Sequence, residues 1–326
     1  MSPGFLLAWL GRRSAPAVAV SVFIGLALPP FAALAKPLVV PTILALLVLA
    51  FVRTSMAGAF TARRAGIALL ACGWVMLALP LMMGLATRLL GEPNAIVLAL
   101  IMQASAPPIM SAPAFAALLG LDARLVLVTM LGGMALTPLT APGLVFHFSG
   151  GALALDPLAL ALRLAAVVGG TMGAGLLIRR LLGLKRVEAI SAHLDGLNVV
   201  LLGLLAVGLM DGVTYAFLDQ PGFMAGLVAL AFLVSLLGFG ATALLFRAVD
   251  PGDAMMLGFC GGHRNMAVVI AATGAVLPHE TWLYVAAAQF PIYLLPVVLL
   301  PLARRISRHG AAADGGQEPC QSADRS

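Results

Sequence analysis

The chain has 326 residues, 62% of them hydrophobic and 10% charged, with a net charge of +6. A soluble domain is about 45–50% apolar and about 25% charged. This composition therefore excludes a soluble enzyme, a nucleic-acid-binding domain, a disordered chain and a coiled coil. At roughly 20 residues per crossing, the apolar residues suffice for about ten membrane spans. Cys72, Cys260 and Cys320 form neither a disulfide framework nor a metal motif.

Residues 1–14 read as a cytoplasmic N-terminus carrying Arg12 and Arg13. The apolar run that follows, with Ala33-Leu34-Ala35, has the look of a signal peptide, but later loop charges alternate correctly only if it is kept as a helix. Ten spans are predicted, at Ala15–Ala33, Pro37–Phe51, Gly66–Leu89, Ala95–Leu119, Arg124–Phe148, Pro157–Ile178, Leu197–Phe217, Gly222–Phe246, Asp253–Leu277 and Thr281–Leu302. With the N-terminus inside, Lys36 and Arg88 alone fall in outer loops. Arg53, Arg63, Arg64, Arg124, Arg179, Arg180, Lys185, Arg186, Arg247, Arg304 and Arg305 fall in inner ones, the asymmetry that sets topology. Trp282, Tyr284 and Tyr215 read as an outer aromatic belt and Trp9 as an inner one. The segment 308–326, rich in Gly, Ala, Asp and Gln, reads as a disordered cytoplasmic tail.

Two spans carry breaks. The fourth contains Pro107, Pro108 and Pro113, each removing a backbone donor. The ninth contains Cys260-Gly261-Gly262-His263-Arg264-Asn265, where paired glycines beside polar side chains point to unwound backbone. A shift of 153 residues maps Pro107 onto Cys260 and Pro138 onto Pro291. Interrupted spans at corresponding places in two halves mark the binding region of a transporter. The halves, 15–148 and 157–303, have five spans each and must therefore be inverted. Half-helices beginning near Ala114 and Asn265 would aim partial positive charge at the midplane, a site for an anion.

Arg264, near the bilayer centre, is a functional candidate by default. It would either pair with a substrate carboxylate or sulfonate, or hold the carbonyls of the crossing in place of a bound cation, or serve structure alone. His263 is a candidate for proton coupling or a packing residue. Asn265 can both donate and accept at the crossing. Gln103, Ser105 and Ser111 could face a ligand or repair the helix locally. Arg163 and Asp211, at matching depths, read as a structural ion pair between the sixth and seventh spans. The small residues from Gly169 to Gly175 read as a close-packing surface.

Gly262-His263-Arg264-Asn265 with the small apolar run after it, and Pro107 followed by Ala123 to Pro142, resemble the bile acid:sodium symporter (SBF-like, BASS) family over roughly residues 15–303. Arg264-Asn265 followed by Met266-Ala267 is similar to its bacterial branch. The resemblance implies an all-α membrane protein in which spans one, two, six and seven form a panel. Spans three to five and eight to ten then form a core, where the two broken helices cross. It also implies organic-anion substrates and sodium coupling. Asn265 and Pro107 match family positions. Cys260 stands where sodium-coupled members have an acid, Arg264 where they have an amide, and Ala112-Pro113 where they have Ser-Asn. A hard cation wants several oxygen ligands, so the resemblance carries sodium coupling over poorly.

The expected function is thus a secondary, alternating-access carrier of a small organic anion in the inner membrane, with both termini cytoplasmic. Proton-coupled or uncoupled carriage is the alternative. No cofactor, resident metal or nucleic-acid partner is expected; the lipid bilayer is a partner, and homo-oligomerisation stays open. An intramembrane enzyme would need clustered acids, a metal motif or a nucleophile with its base, and a channel would need a charge ring or filter; neither pattern is present.

Overall fold

A computed structural model describes residues 14–54, 62–91, 93–118, 121–150 and 156–314. Secondary structure there is helical throughout, apart from one isolated β-bridge. In chain order the helices are α1 (Ser14–Ala27), α2 (Pro29–Arg53), α3 (Ala62–Thr87), α4 (Ala95–Ser105), α5 (Ala112–Leu118), α6 (Ala123–Ser149) and α7 (Pro157–Leu182). The second half continues with α8 (Leu184–Ala189), α9 (Ser191–Leu209), α10 (Val213–Asp219), α11 (Pro221–Leu245), α12 (Pro251–Gly262), α13 (Met266–Thr273) and α14 (His279–Asp314). Among the described residues α2, α3, α6, α7, α9 and α11 are each long and apolar enough to cross a membrane. Their outer faces need lipid: Leu69 of α3 and Leu139 of α6 are 74% and 78% exposed.

Several boundaries depart from the sequence reading. The first break falls at Leu28, because Pro29 and Pro30 start a new helix. α2 then runs to Arg53 through a 3₁₀ turn at Lys36–Leu38. The seventh span, expected as one helix, is interrupted between α9 and α10, where Gly212 takes φ 77°. α14 extends to Asp314, into the segment expected to be disordered, through Ala311, Ala312 and Ala313, the best helix-forming residue type. Residues 1–13 and 315–326, with Trp9 and Cys320, lie outside the described residues.

Side-chain caps fix where helices begin. Asn94 accepts from the amides of Ile96 and Val97, Asp122 from that of Arg124, Asp156 from that of Ala159, and Asp250 from those of Gly252 and Asp253. Inside the helices, Thr129, Thr137, Thr140 and Thr171 donate to carbonyls one turn back, so their hydroxyls are not stranded.

Packing divides the helices into two groups. α1, α2, α7 and α9 contact one another; α3, α4, α6, α11, α12 and α14 do likewise. The seam runs where α7 and α2 meet α13, and where α7 meets α6. Of the glycines in the small-residue run of α7, Gly175 alone is tightly packed: a Cβ there would lie 2.6 Å from Phe51 Cβ. Gly169, Gly170 and Gly173 have no such neighbour within 4 Å, so most of the expected packing surface is open.

The expected Arg163–Asp211 pair does not form. Asp211 takes a hydrogen bond from Lys36 at 2.8 Å, because the interruptions of α2 and of α9–α10 bring Lys36 beside it, while Arg163 is exposed on α7. Trp282 Nε1 donates to the Asp211 carbonyl at 3.2 Å, and the Lys36 ammonium lies 5.2 Å from its ring centroid. Trp282 is therefore buried rather than a belt residue. Tyr284 is buried completely, whereas Tyr215 is exposed.

Candidate functional site

Both expected interruptions are present, and they touch. α4 stops at Ser105 and α5 starts at Ala112; α12 stops at Gly262 and α13 starts at Met266. Between the gaps, Pro108 and Arg264 form an antiparallel bridge. The Ile109 amide donates to the His263 carbonyl at 2.9 Å, and the Asn265 amide donates to the Pro107 carbonyl at 2.7 Å. Each break thus satisfies backbone groups that the other exposes, as buried non-helical backbone requires.

The two gaps have different local causes. Pro107 and Pro108 cannot donate, so α4 cannot continue through them. Gly133 of α6 makes room for the ring: a Cβ there would lie 2.6 Å from Pro108 Cδ. Pro113 is not in the break; it lies in the first turn of α5, where its missing N–H costs nothing. In the second gap the unwound residues are His263, Arg264 and Asn265. Cys260, Gly261 and Gly262, expected to be unwound, form the last turn of α12. The glycines serve packing instead: a Cβ on Gly262 would collide with the Ser235 carbonyl of α11, and one on Gly261 with Thr242 Oγ1.

Arg264 is 3% exposed. Its Nη2 donates to the Val75 carbonyl at 2.7 Å and to the Ala104 carbonyl. Val75 lies in a π-helical turn, Trp74–Ala78, inside α3, and Ala104 in the last turn of α4. The buried Nε and Nη1 of the same guanidinium have no hydrogen-bond partner. The ion pairs among the described residues are Lys36–Asp211, Arg53–Asp195, Arg64–Asp122 and Arg124–Asp122, so no carboxylate neutralises Arg264.

The other predicted residues separate into groups. His263 is fully buried, with the carbonyls of Phe259 and Pro291 as polar neighbours. Its ring stacks on Phe259 at 4.0 Å, and Phe259 on Phe115 of α5 at 4.8 Å. Asn265 is half-buried at the start of α13. Gln103 is a scaffold residue, its side-chain oxygen accepting from the Tyr284 hydroxyl of α14. Ser105 is buried and its hydroxyl unpartnered. Ser111 is exposed and immediately precedes α5. Sequence reasoning missed Tyr284, Gly133 and the Val75 carbonyl. Gly132-Gly133 in an otherwise apolar span was a signal for close approach; nothing local marks Val75.

Among the described residues, no cluster of His, Cys, Asp and Glu could hold a metal ion. A cavity of about 640 Å³ lies elsewhere, between the starts of α4 and α14 and the α10–α11 corner. No protein-family model matches the chain, and no curated protein matches it significantly.

Proposed function

We propose that the chain is a secondary transporter of a small organic anion, working by alternating access across ten spans arranged as two inverted halves. The observation that carries this reading is the buried guanidinium of Arg264, with two donor nitrogens unpaired and no carboxylate beside it, where two interrupted helices meet. A buried charge is costly unless paired, and a visiting anion is the missing partner.

Three pairs of landmarks support the two-halves arrangement. Pro108 and Arg264, the capping residues Asn94 and Asp250, and the helix starts Ala123 and His279 each lie 156 residues apart. These landmarks favour a register of 156 over the 153 that maps Pro107 onto Cys260 and Pro138 onto Pro291. The short helices pair into interrupted spans, and 281–302 of α14 is an uncharged run long enough to cross. The two packing groups fit a panel of α1, α2, α7 and α9 beside a core holding the crossing, with their seam as the sliding surface. Arg53–Asp195, Arg64–Asp122 and the Arg179–Thr54 carbonyl contact gather at inner-loop positions, supporting an inner-membrane protein with both ends cytoplasmic.

Flux in proteoliposomes tests the proposal, using small carboxylates and sulfonates. Saturable, exchangeable uptake is expected. Arg264→Ala should lower it about 100-fold, as loss of a charge-assisted contact of about 2–3 kcal/mol implies. Normal uptake by that variant, or ohmic conductance in place of exchange, would overturn the reading.

A further inference from the structure

We infer that Arg264 is a tethered cation occupying a carbonyl site that would otherwise take a monovalent metal ion, so that the wild-type protein works without sodium or potassium. The inference deepens the transport reading and rests on it for its flux measurement only.

Two backbone acceptors define the site. A π turn shifts the helical register locally and leaves a carbonyl outside the regular ladder; Val75 lies in such a turn. Ala104 lies in the last turn of α4, where carbonyls lack intrahelical donors and the helix dipole is negative. These two oxygens, from two helices, converge on a single nitrogen of Arg264. Backbone oxygens closing on one centre can replace the hydration shell of a monovalent cation. The hydroxyl of Ser105, the next residue along, is buried and unpartnered, a third oxygen beside Ala104 in the chain. The neighbouring Pro107 and His263 carbonyls are already committed to the bridge.

A mobile ion here would be held by neutral oxygens alone and would bind weakly. A tethered guanidinium is present at all times, because its local concentration is fixed by the chain. It arrives from the opposite gap, so the residue that closes the bridge also fills the site. A charge that never leaves cannot carry ion-gradient energy. Nη2 serves the backbone, and Nε and Nη1 are left to the substrate.

The test compares wild type, Arg264→Ala and Arg264→Lys in detergent, in NaCl, KCl and choline chloride at equal ionic strength. Wild type should unfold at one temperature in all three salts. Arg264→Ala should be least stable in choline and recover by roughly 3–5 °C in sodium, potassium or millimolar guanidinium. Arg264→Lys, whose ammonium can fill the site, should be indifferent to the salt. Stabilisation of wild type by sodium over choline overturns the inference. So does a folded Arg264→Ala protein that ignores every cation, or a salt-responsive Arg264→Lys protein. In proteoliposomes, wild-type uptake should be unchanged when choline replaces sodium on both sides. Accumulation driven by a sodium gradient overturns this inference and leaves the transport reading standing. A cation-responsive Arg264→Ala protein with no flux in wild type overturns the transport reading and leaves the site standing.

Discussion

The two gaps that meet at the crossing are built in opposite ways. The first is written into its own residues: Pro107 and Pro108 remove donors, and α4 must stop. The second contains no proline. There α12 stops where Gly261 and Gly262 press its last turn against α11, and where the backbone of the first gap offers His263 and Asn265 better partners than a continued helix would. A break can thus be imposed by local chemistry or by a neighbour, and only the first kind is visible in a short stretch of sequence.

Substitutions sharpen that contrast. The largest effect is expected at the residue both gaps share: Arg264→Ala leaves the Val75 and Ala104 carbonyls without donors, costing about 2–4 kcal/mol, measurable by chemical denaturation in detergent. Gly262→Ala should come next. Helix propensity alone would favour alanine by about 0.5–1 kcal/mol, but the collision with the Ser235 carbonyl cannot be relieved by a rotamer change. Overpacking of about 1–3 kcal/mol should win, seen as a lower unfolding temperature. Pro108→Ala should cost less, under about 1 kcal/mol, with the gap retained because the Ile109–His263 and Asn265–Pro107 bonds remain. A Pro108→Ala protein more damaged than Gly262→Ala would invert the comparison.

The smallest effect lies outside the membrane. Burial raises the Asp122 carboxyl, but hydrogen bonds from Arg64 and the Arg124 amide, with their charges, outweigh it and hold the group below the usual carboxylate range. A depressed folded-state value stabilises above the unfolded value and is lost as pH falls through the folded one. Acidification from about pH 4 downward should therefore remove a few tenths of a kcal/mol, a surface-pair magnitude. Asp122→Asn should flatten that limb of the pH–stability curve.

Composition was enough to identify helical segments apolar and long enough to cross a membrane, because lipid imposes its requirement on every residue of a span. Pro107 and Pro108 marked the first gap for the same local reason. The second gap was located a few residues early, since Gly261 and Gly262 suit unwinding and close helix contact equally well, and the choice is made by α11. Arg163 and Asp211 do not pair: Asp211 is bonded to Lys36, 175 residues away in sequence, and Arg163 is exposed on α7. Of the site residues, Arg264 was legible from its charge in an apolar run. Its acceptors were not, because a carbonyl carries no sequence signature.

The column of rings from Phe115 through Phe259 to His263 has a mechanical consequence. It clips α5 to α12 alongside the backbone bridge, giving the crossing two independent fastenings. Shear between the interrupted segments would have to peel aromatic faces apart and snap main-chain bonds together, so the crossing behaves as one stiff insert. Relative movement of the two packing groups is then confined to the boundary that α2 and α7 make with α13 and α6.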